Sequence, residues 1–313
     1  MLKMAQYSLP SSAEVRGVLE ALPETPIKTR VGNWSIPLDG LVAKMGFLYE
    51  YLIAGRVCEV CGKYAPQRKH AKELKVDGVP AVMFVVKTAK RKSKRGWTLR
   101  PATIPLNPLY EPLAQKVFDY IKTYEPEEYP FMLAPNPETS KRYAEAYAKE
   151  IFNKYHWYFV SYSRSAFADP SLGFTYDPVT RQKRKSVSEK EAKEHGDKID
   201  YERQPGWVPI SIEVEERWKD INTHELRKQR LRDLERPYYF DNTDLNYYAG
   251  WETKGNDKAA ASRHYLELDL DESPENIQIL AEMSKRYFKK LLIPIESLLN
   301  SANSEIGGIE IIG

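Results

Sequence analysis

A chain of 313 residues with 42% hydrophobic residues is long enough to bury a substantial core and too apolar to be intrinsically disordered. Its net charge of +3 is too small to demand a polyanionic partner, so such a partner has to be read from local clusters. There is no apolar run of about 18 residues and no apolar leader, which excludes a helical membrane span and a signal peptide from expectation, and two cysteines make no disulfide framework, so a reducing cytoplasm is the expected setting.

In chain order, residues 11–22 (SSAEVRGVLEAL) predict a short helix capped by Ser11 or Ser12, with Val15, Val18, Leu19 and Leu22 on one apolar face. Leu41, Met45, Leu48 and Leu52 repeat at helical spacing and predict a second helix from about Leu41 to Ala54, interrupted by Gly55. Residues 79–87 (VPAVMFVVK) and 97–106 (WTLRPATIPL) are β-rich and flank a basic turn, TAKRKSKRG, which predicts a β-hairpin. Helices are expected over Leu109–Tyr124 and Ser140–Lys154. Residues 157–209 mix aromatics, Pro, Gly and charge, with a basic run at Arg181, Lys183, Arg184 and Lys185, and read as an insertion. Helical patterns return near Glu213–Trp218 and Thr223–Glu235. An amphipathic helix is predicted over Pro274–Leu299 through Ile277, Leu280, Met283, Phe288 and Leu291. The ending, EIGGIEIIG, reads as a tail or an added strand. The expected class is α+β, mostly helical with a small antiparallel hairpin or sheet.

Several stretches carry candidate chemistry. In THELRKQRLRDL, His224 and Arg227 stand three residues apart and share a helix face. An imidazole beside a guanidinium suits a phosphate, because Arg offers a planar fork of donors and His can give or take a proton. In LYEYLIAGRVCEV, Arg56 follows the apolar helix and Glu59 lies within pairing reach. Six of the nine residues from Lys87 to Arg95 are Lys or Arg, which makes the hairpin turn a basic finger suited to a nucleic-acid backbone. Lys90, Arg91, Lys92, Lys94 and Arg95 supply its charge. Further on, Gly250-Trp251 is followed by Tyr265, flanked by Arg263 and His264.

Taken in order, Arg56, a Lys on a hairpin, His-x-x-Arg, Gly-Trp and a Tyr resemble the catalytic domain of the tyrosine recombinase (phage integrase) family. AGRVCEV resembles its Gly-Arg-x-x-Glu segment, THELR its His-x-Leu-Arg motif and AGW its Gly-His or Gly-Trp motif. The resemblance spans about residues 8–270 of a single catalytic domain of 1–313, with the C-terminal helix and tail at about 274–313. The family's preceding core-binding domain is expected to be missing. The resemblance implies that Arg56 and Arg227 clamp a scissile phosphate, and that Lys87 protonates the leaving 5′ oxygen. It implies too that His224 and Trp251 contact the phosphate, that Tyr265 is the nucleophile, and that Glu59 supports the site from behind these residues. Lys90 is the alternative acid and Tyr247 and Tyr248 are rival nucleophiles. The implied partners are double-stranded DNA and further copies of the chain, tetrameric on synapsed DNA through the C-terminal helix, in the cytoplasm at the nucleoid. No cofactor is implied.

Three other readings stay open. Cys58-x-x-Cys61 resembles half a zinc ribbon, with His70 as a third ligand and His156 or His195 as a fourth. The Trp251-to-Tyr265 spacing, longer than the family's, allows a DNA-binding protein with an inactive recombinase fold. A type IB topoisomerase would use similar chemistry.

Overall fold

The computed structural model describes residues 12–88, 97–149, 223–236, 238–250 and 270–297. The expected insertion at 157–209, the expected helix Glu213–Trp218 and the C-terminal tail lie outside the described residues.

Helix α1 (Ser12–Ala21) buries Val15, Val18 and Leu19, the apolar face expected of it, and Leu22 just beyond it is buried too. It is fastened to the rest by polar contacts. Ser12 Oγ donates to Asp233 Oδ2 at 3.0 Å, and Arg16 forms a two-pronged pair with Glu111 at 2.7 and 2.6 Å. A hairpin that the hydrophobic pattern did not predict follows, β1 (Ile27–Val31) and β2 (Trp34–Leu38), joined by the two-residue turn Gly32-Asn33 with Gly32 at φ 60°.

Helix α2 (Gly40–Leu52) begins where Asp39 Oδ1 accepts the Val42 N–H at 3.1 Å. It is buried on nearly every side, so it is the central strut rather than a surface helix. Short helix α3 (Val57–Val60) follows.

Among the described residues the larger sheet has three antiparallel strands in the order β3 (Ala71–Val76), β4 (Val79–Thr88), β5 (Thr98–Pro105). The predicted hairpin is β4–β5, with Lys87 opposite Leu99 and Val86 opposite Arg100. β3 was not predicted. It is joined to β4 by Asp77-Gly78, both at positive φ (50° and 83°), the geometry of a two-residue hairpin turn. Strand alternation then sorts the side chains. Val82, Phe84, Val86, Ala102 and Ile104 join the main core with α2, whereas Met83, Val85 and Leu99 pack with Leu270 and Leu280 on the opposite face.

β5 is an edge strand containing prolines, and its chemistry suits that place. The outward Thr103 N–H donates to Tyr287 Oη at 3.0 Å. Pro101 and Pro105 share its parity and have no N–H to strand.

Helix α4 (Pro112–Ile121) starts with Pro in its first turn. Residues 137–149 form helix α5, earlier than the predicted Ser140, because the Asn136 side chain accepts the N–H groups of Glu138 and Thr139 at 3.0 and 3.1 Å. Helix α6 (Thr223–Glu235) has the predicted bounds. Helix α7 (Asn242–Ala249), not predicted, is opened by an Asp241–Asp244 capping box and closed by Gly250 at φ 68°.

Helix α8 (Pro274–Phe288) ends well before the predicted Leu299. A 3₁₀ turn follows, and then Pro294, which disfavours helix at the residue before it. Leu280, Ser284, Tyr287 and Phe288 are buried, and Ser284 and Thr103 hydroxyls lie 2.5 Å apart. This apolar face packs on the chain's own sheet, with Leu280 against Met83 and Val85 and Phe288 against Val76 and Ala81. Among the described residues no helix is long and apolar enough to cross a membrane.

Candidate active site

The turn after α2 organises the site. Ala54 takes a left-handed conformation (φ 47°) and reverses the chain, so that Arg56 becomes the N-cap of α3. The Arg56 N–H donates to Glu59 Oε2 at 3.1 Å and its Nη1 donates to Glu59 Oε1 at 2.8 Å. Glu59 is 1% exposed, and Arg100 reaches it from β5, with Nη2 3.3 Å from Oε2.

Two more contacts of Arg100 and two of Arg227 go to backbone carbonyls at the C-terminal ends of α2 and α7. Arg100 donates to Ile53 O at 3.0 Å and to Tyr248 O; Arg227 donates to Ala54 O and, at 3.0 Å, to Ala249 O. The partial negative charge of helix C-termini makes these carbonyls good hosts for buried guanidiniums. Gly250 closes α7 against this cluster. A Cβ there would lie 2.6 Å from Arg100 Cδ, and its φ is left-handed, so both space and backbone call for glycine.

The charges are unequal. Burial pushes Glu59 up, but Arg100, then Arg56 and Arg227, outweigh it and hold the carboxylate below its ordinary range. Glu50 is also buried, and burial first, with the Glu59 charge next, pushes it well above the usual carboxylate range. Arg227 is pulled down to about 9, by burial first and then by Arg100, with Arg56 adding to it. Three guanidiniums thus surround one ionised carboxylate, and their excess positive charge suits an anion. His224, exposed on the first turn of α6, senses the same cations. Burial first, then Lys228 and Arg227, push it below its ordinary value.

Neither oxygen of Glu50 has a hydrogen-bond partner among the described residues. Its folded value lies above the unfolded one, so its ionisation opposes folding: the cost is absent below about pH 4.3 and grows as pH rises toward the folded value. Glu50→Gln should therefore stabilise the protein at pH 8 more than at pH 5. Urea unfolding at both pH values checks this, and an equal shift at both would contradict it.

Of the predicted residues, the structure brings Arg56, Glu59, Arg227 and His224 together. It separates Lys87 from them. Lys87 shares the sheet face of Met83 and Val85, across the sheet from Val86 and Arg100. There its Nζ lies 2.6 Å from Glu272 Oε1 and 5.1 Å from the centre of the Trp97 ring. The rival tyrosines are both buried. Tyr248 Oη donates to Leu52 O at 2.5 Å, and burial raises its pKa, so it is poorly placed to attack a substrate.

The zinc reading gains nothing. Cys61 Sγ is 3.6 Å from Val57 O, His70 Nδ1 accepts the Gln67 N–H at 2.8 Å, and the described residues contain no His, Cys, Asp and Glu grouping able to hold a metal. Trp251, Tyr265, Lys90, Arg91, Lys92, Lys94, Arg95, His156 and His195 lie outside the described residues.

Arg100 and Glu50 were missed from the sequence. For Arg100 there was a local sign, a charged residue at a core-facing position of an apolar strand; Glu50 had none. No protein-family model matches the chain, and none of the curated proteins or solved structures compared with it gives a match.

Proposed function

We propose that this chain is a tyrosine recombinase that cuts and rejoins double-stranded DNA. The observation that carries the reading is the excess positive charge around Glu59, where two motifs far apart in sequence, AGRVCEV and THELR, supply Arg56 and Arg227 to one place. The order of motifs along the chain supports the same chemistry.

In this reading the Tyr265 oxygen attacks the scissile phosphorus. A P–O bond to the tyrosine forms, the P–O5′ bond breaks, and the leaving oxygen takes a proton. The phosphotyrosyl ester conserves the energy of the broken bond, so a 5′ hydroxyl can reverse the step without ATP. Charge grows on the nonbridging oxygens in the transition state, and fixed guanidiniums stabilise it there. With Lys87 on the far sheet face, Lys90 is the candidate acid. Partners of the chain would be duplex DNA and, on synapsed sites, further copies of itself.

The test is direct. A pool of nicked duplexes with randomised sequence around the nick is incubated with the protein, and covalent adducts are captured in detergent. An adduct whose phosphate maps to a tyrosine supports the proposal; reversible binding with no adduct favours an inactive recombinase fold, and neither binding nor adduct removes both. Relaxation of supercoiled plasmid without exchange between two sites would mark a topoisomerase instead.

The basic finger should supply sequence-independent affinity. Neutralising Arg91, Lys92, Lys94 and Arg95 together should weaken binding to all duplexes alike. It should also lower the slope of log affinity against log salt by roughly three to four, as expected for the loss of four phosphate contacts. Fluorescence anisotropy over a salt series measures both, and an effect confined to one DNA sequence would make the finger a reader of bases.

A further inference from the structure

The far face of the sheet holds a second cluster of charged groups. Glu272 Oε1 is 2.6 Å from Lys87 Nζ, and Glu272 Oε2 is 3.4 Å from His70 Nε2. The histidine is oriented for this. Its Nδ1 accepts the Gln67 N–H, so the proton of the neutral ring resides on Nε2, the nitrogen that faces Glu272. Burial holds His70 below its ordinary value and so in that neutral form. Lys87 is also held over the Trp97 ring.

The same short stretch is tied down on either side of Glu272. The Leu270 N–H donates to Thr98 Oγ1 at 3.2 Å, and the Leu270 side chain is buried among Met83, Val85 and Leu99. Asp271 Oδ1 accepts the Ser273 N–H at 3.0 Å and the Asn276 amide at 2.8 Å, fixing the start of α8. Residues 270–273 are thus bound to the last residues of β4, the first of β5 and the first turn of α8. Leu270 is five residues beyond Tyr265 in the chain.

We propose that Lys87 is a positioning residue and not the acid: paired with Glu272 and backed by His70, it clamps the chain leaving the Tyr265 segment to the sheet at the base of the basic finger. This rests on the recombinase reading. An acid must reach the leaving oxygen, whereas Lys87 is engaged by a carboxylate on the face opposite Arg100 and Glu59. A clamp needs only the charge and the reach of its side chain. Its loss leaves the nucleophile's exit point unheld, and small misplacements of a reacting group cost roughly 10- to 100-fold in rate.

The experiment uses the whole 313-residue chain on the duplex recovered from the nicked pool, made once with an ordinary scissile phosphodiester and once with a 5′-bridging sulfur. Sulfur leaves without protonation, so only an acid's loss is rescued by it. Under the clamp, Lys87→Met and Glu272→Gln each slow adduct formation roughly 10-fold or more on both substrates. The double variant should be no slower than either single one. Lys87→Arg, which keeps the pair but is a poor acid, stays within a few-fold of wild type. Lys90→Ala is slow on the phosphodiester and rescued on the sulfur substrate.

Rescue of Lys87→Met by sulfur, together with a slow Lys87→Arg, would make Lys87 the acid and overturn the clamp. So would unchanged rates in Lys87→Met or Glu272→Gln, or additive losses in the double variant. Should Lys87→Met fold poorly, Lys87→Arg and Glu272→Gln carry the comparison alone. Absence of any adduct from wild type on either substrate would instead refute the recombinase reading, and the clamp with it.

Discussion

Tyr265→Phe is expected to abolish the covalent protein–DNA adduct while leaving DNA affinity within a few-fold of wild type. The substitution removes one oxygen, the atom that would bond to phosphorus, and no cation that holds the phosphate. A free tyrosine has a pKa of about 10, so its attack depends on nearby positive charge and a proton acceptor. The buried positions of Tyr247 and Tyr248 strengthen the expectation, since a hydroxyl committed to the Leu52 carbonyl, as in Tyr248, would have to leave the core to react. The check is gel analysis of adducts under denaturing conditions, with peptide mapping of the wild-type adduct. An undiminished adduct in Tyr265→Phe would assign the nucleophile elsewhere.

Arg56→Ala and Arg227→Ala should each lower the rate of adduct formation by about 10²-fold or more, with a smaller loss of binding, because the proposed contact strengthens as charge builds on the phosphate. The two differ in what else they lose. Arg56 is partly exposed and its partner is Glu59, so its removal leaves Glu59 still paired with Arg100. Arg227 is 2% exposed and joins the ends of α2 and α7 through the Ala54 and Ala249 carbonyls, so Arg227→Ala also strands two buried acceptors. That variant should unfold at lower urea concentration, by an amount corresponding to about 1–3 kcal/mol per stranded group. Arg227→Lys separates the two effects, since it keeps the charge and loses the planar fork. Single-turnover rates and urea midpoints for the three proteins provide the check. Wild-type rates in folded Arg56→Ala would remove that residue from the chemistry.

Much of the helical framework was legible along the chain. The apolar spacing in α1, the bounds of α6 and the apolar positions of α8 follow from a period near 3.6 and from capping residues, and these are local properties. The β4–β5 hairpin was legible for the same reason, from two β-rich runs around a basic turn. β3 was not, because its alternation is thin. Lys72, Glu73 and Lys75 are all exposed, and only the Asp77-Gly78 turn betrays the hairpin. β1–β2 has a similar weakness, with five of its ten residues exposed. α7 is short and carries little helical moment, so its Asp241 cap and Gly250 stop were the only local signs of it.

The candidate site divides along the same line. By itself the sequence determined which residue types stand beside one another: Arg56 three residues from Glu59 and His224 three from Arg227, spacings that allow a shared helix face or a local ion pair. Only the tertiary structure decided which of these groups meet. It added Arg100 from β5 and the buried Glu50, and it placed Lys87 across the sheet from them beside Glu272. The reason is the pleat. One residue of register moves a strand side chain to the other face, and the register and the layers that cover each face are set by contacts between segments distant in the chain, which no local spacing records.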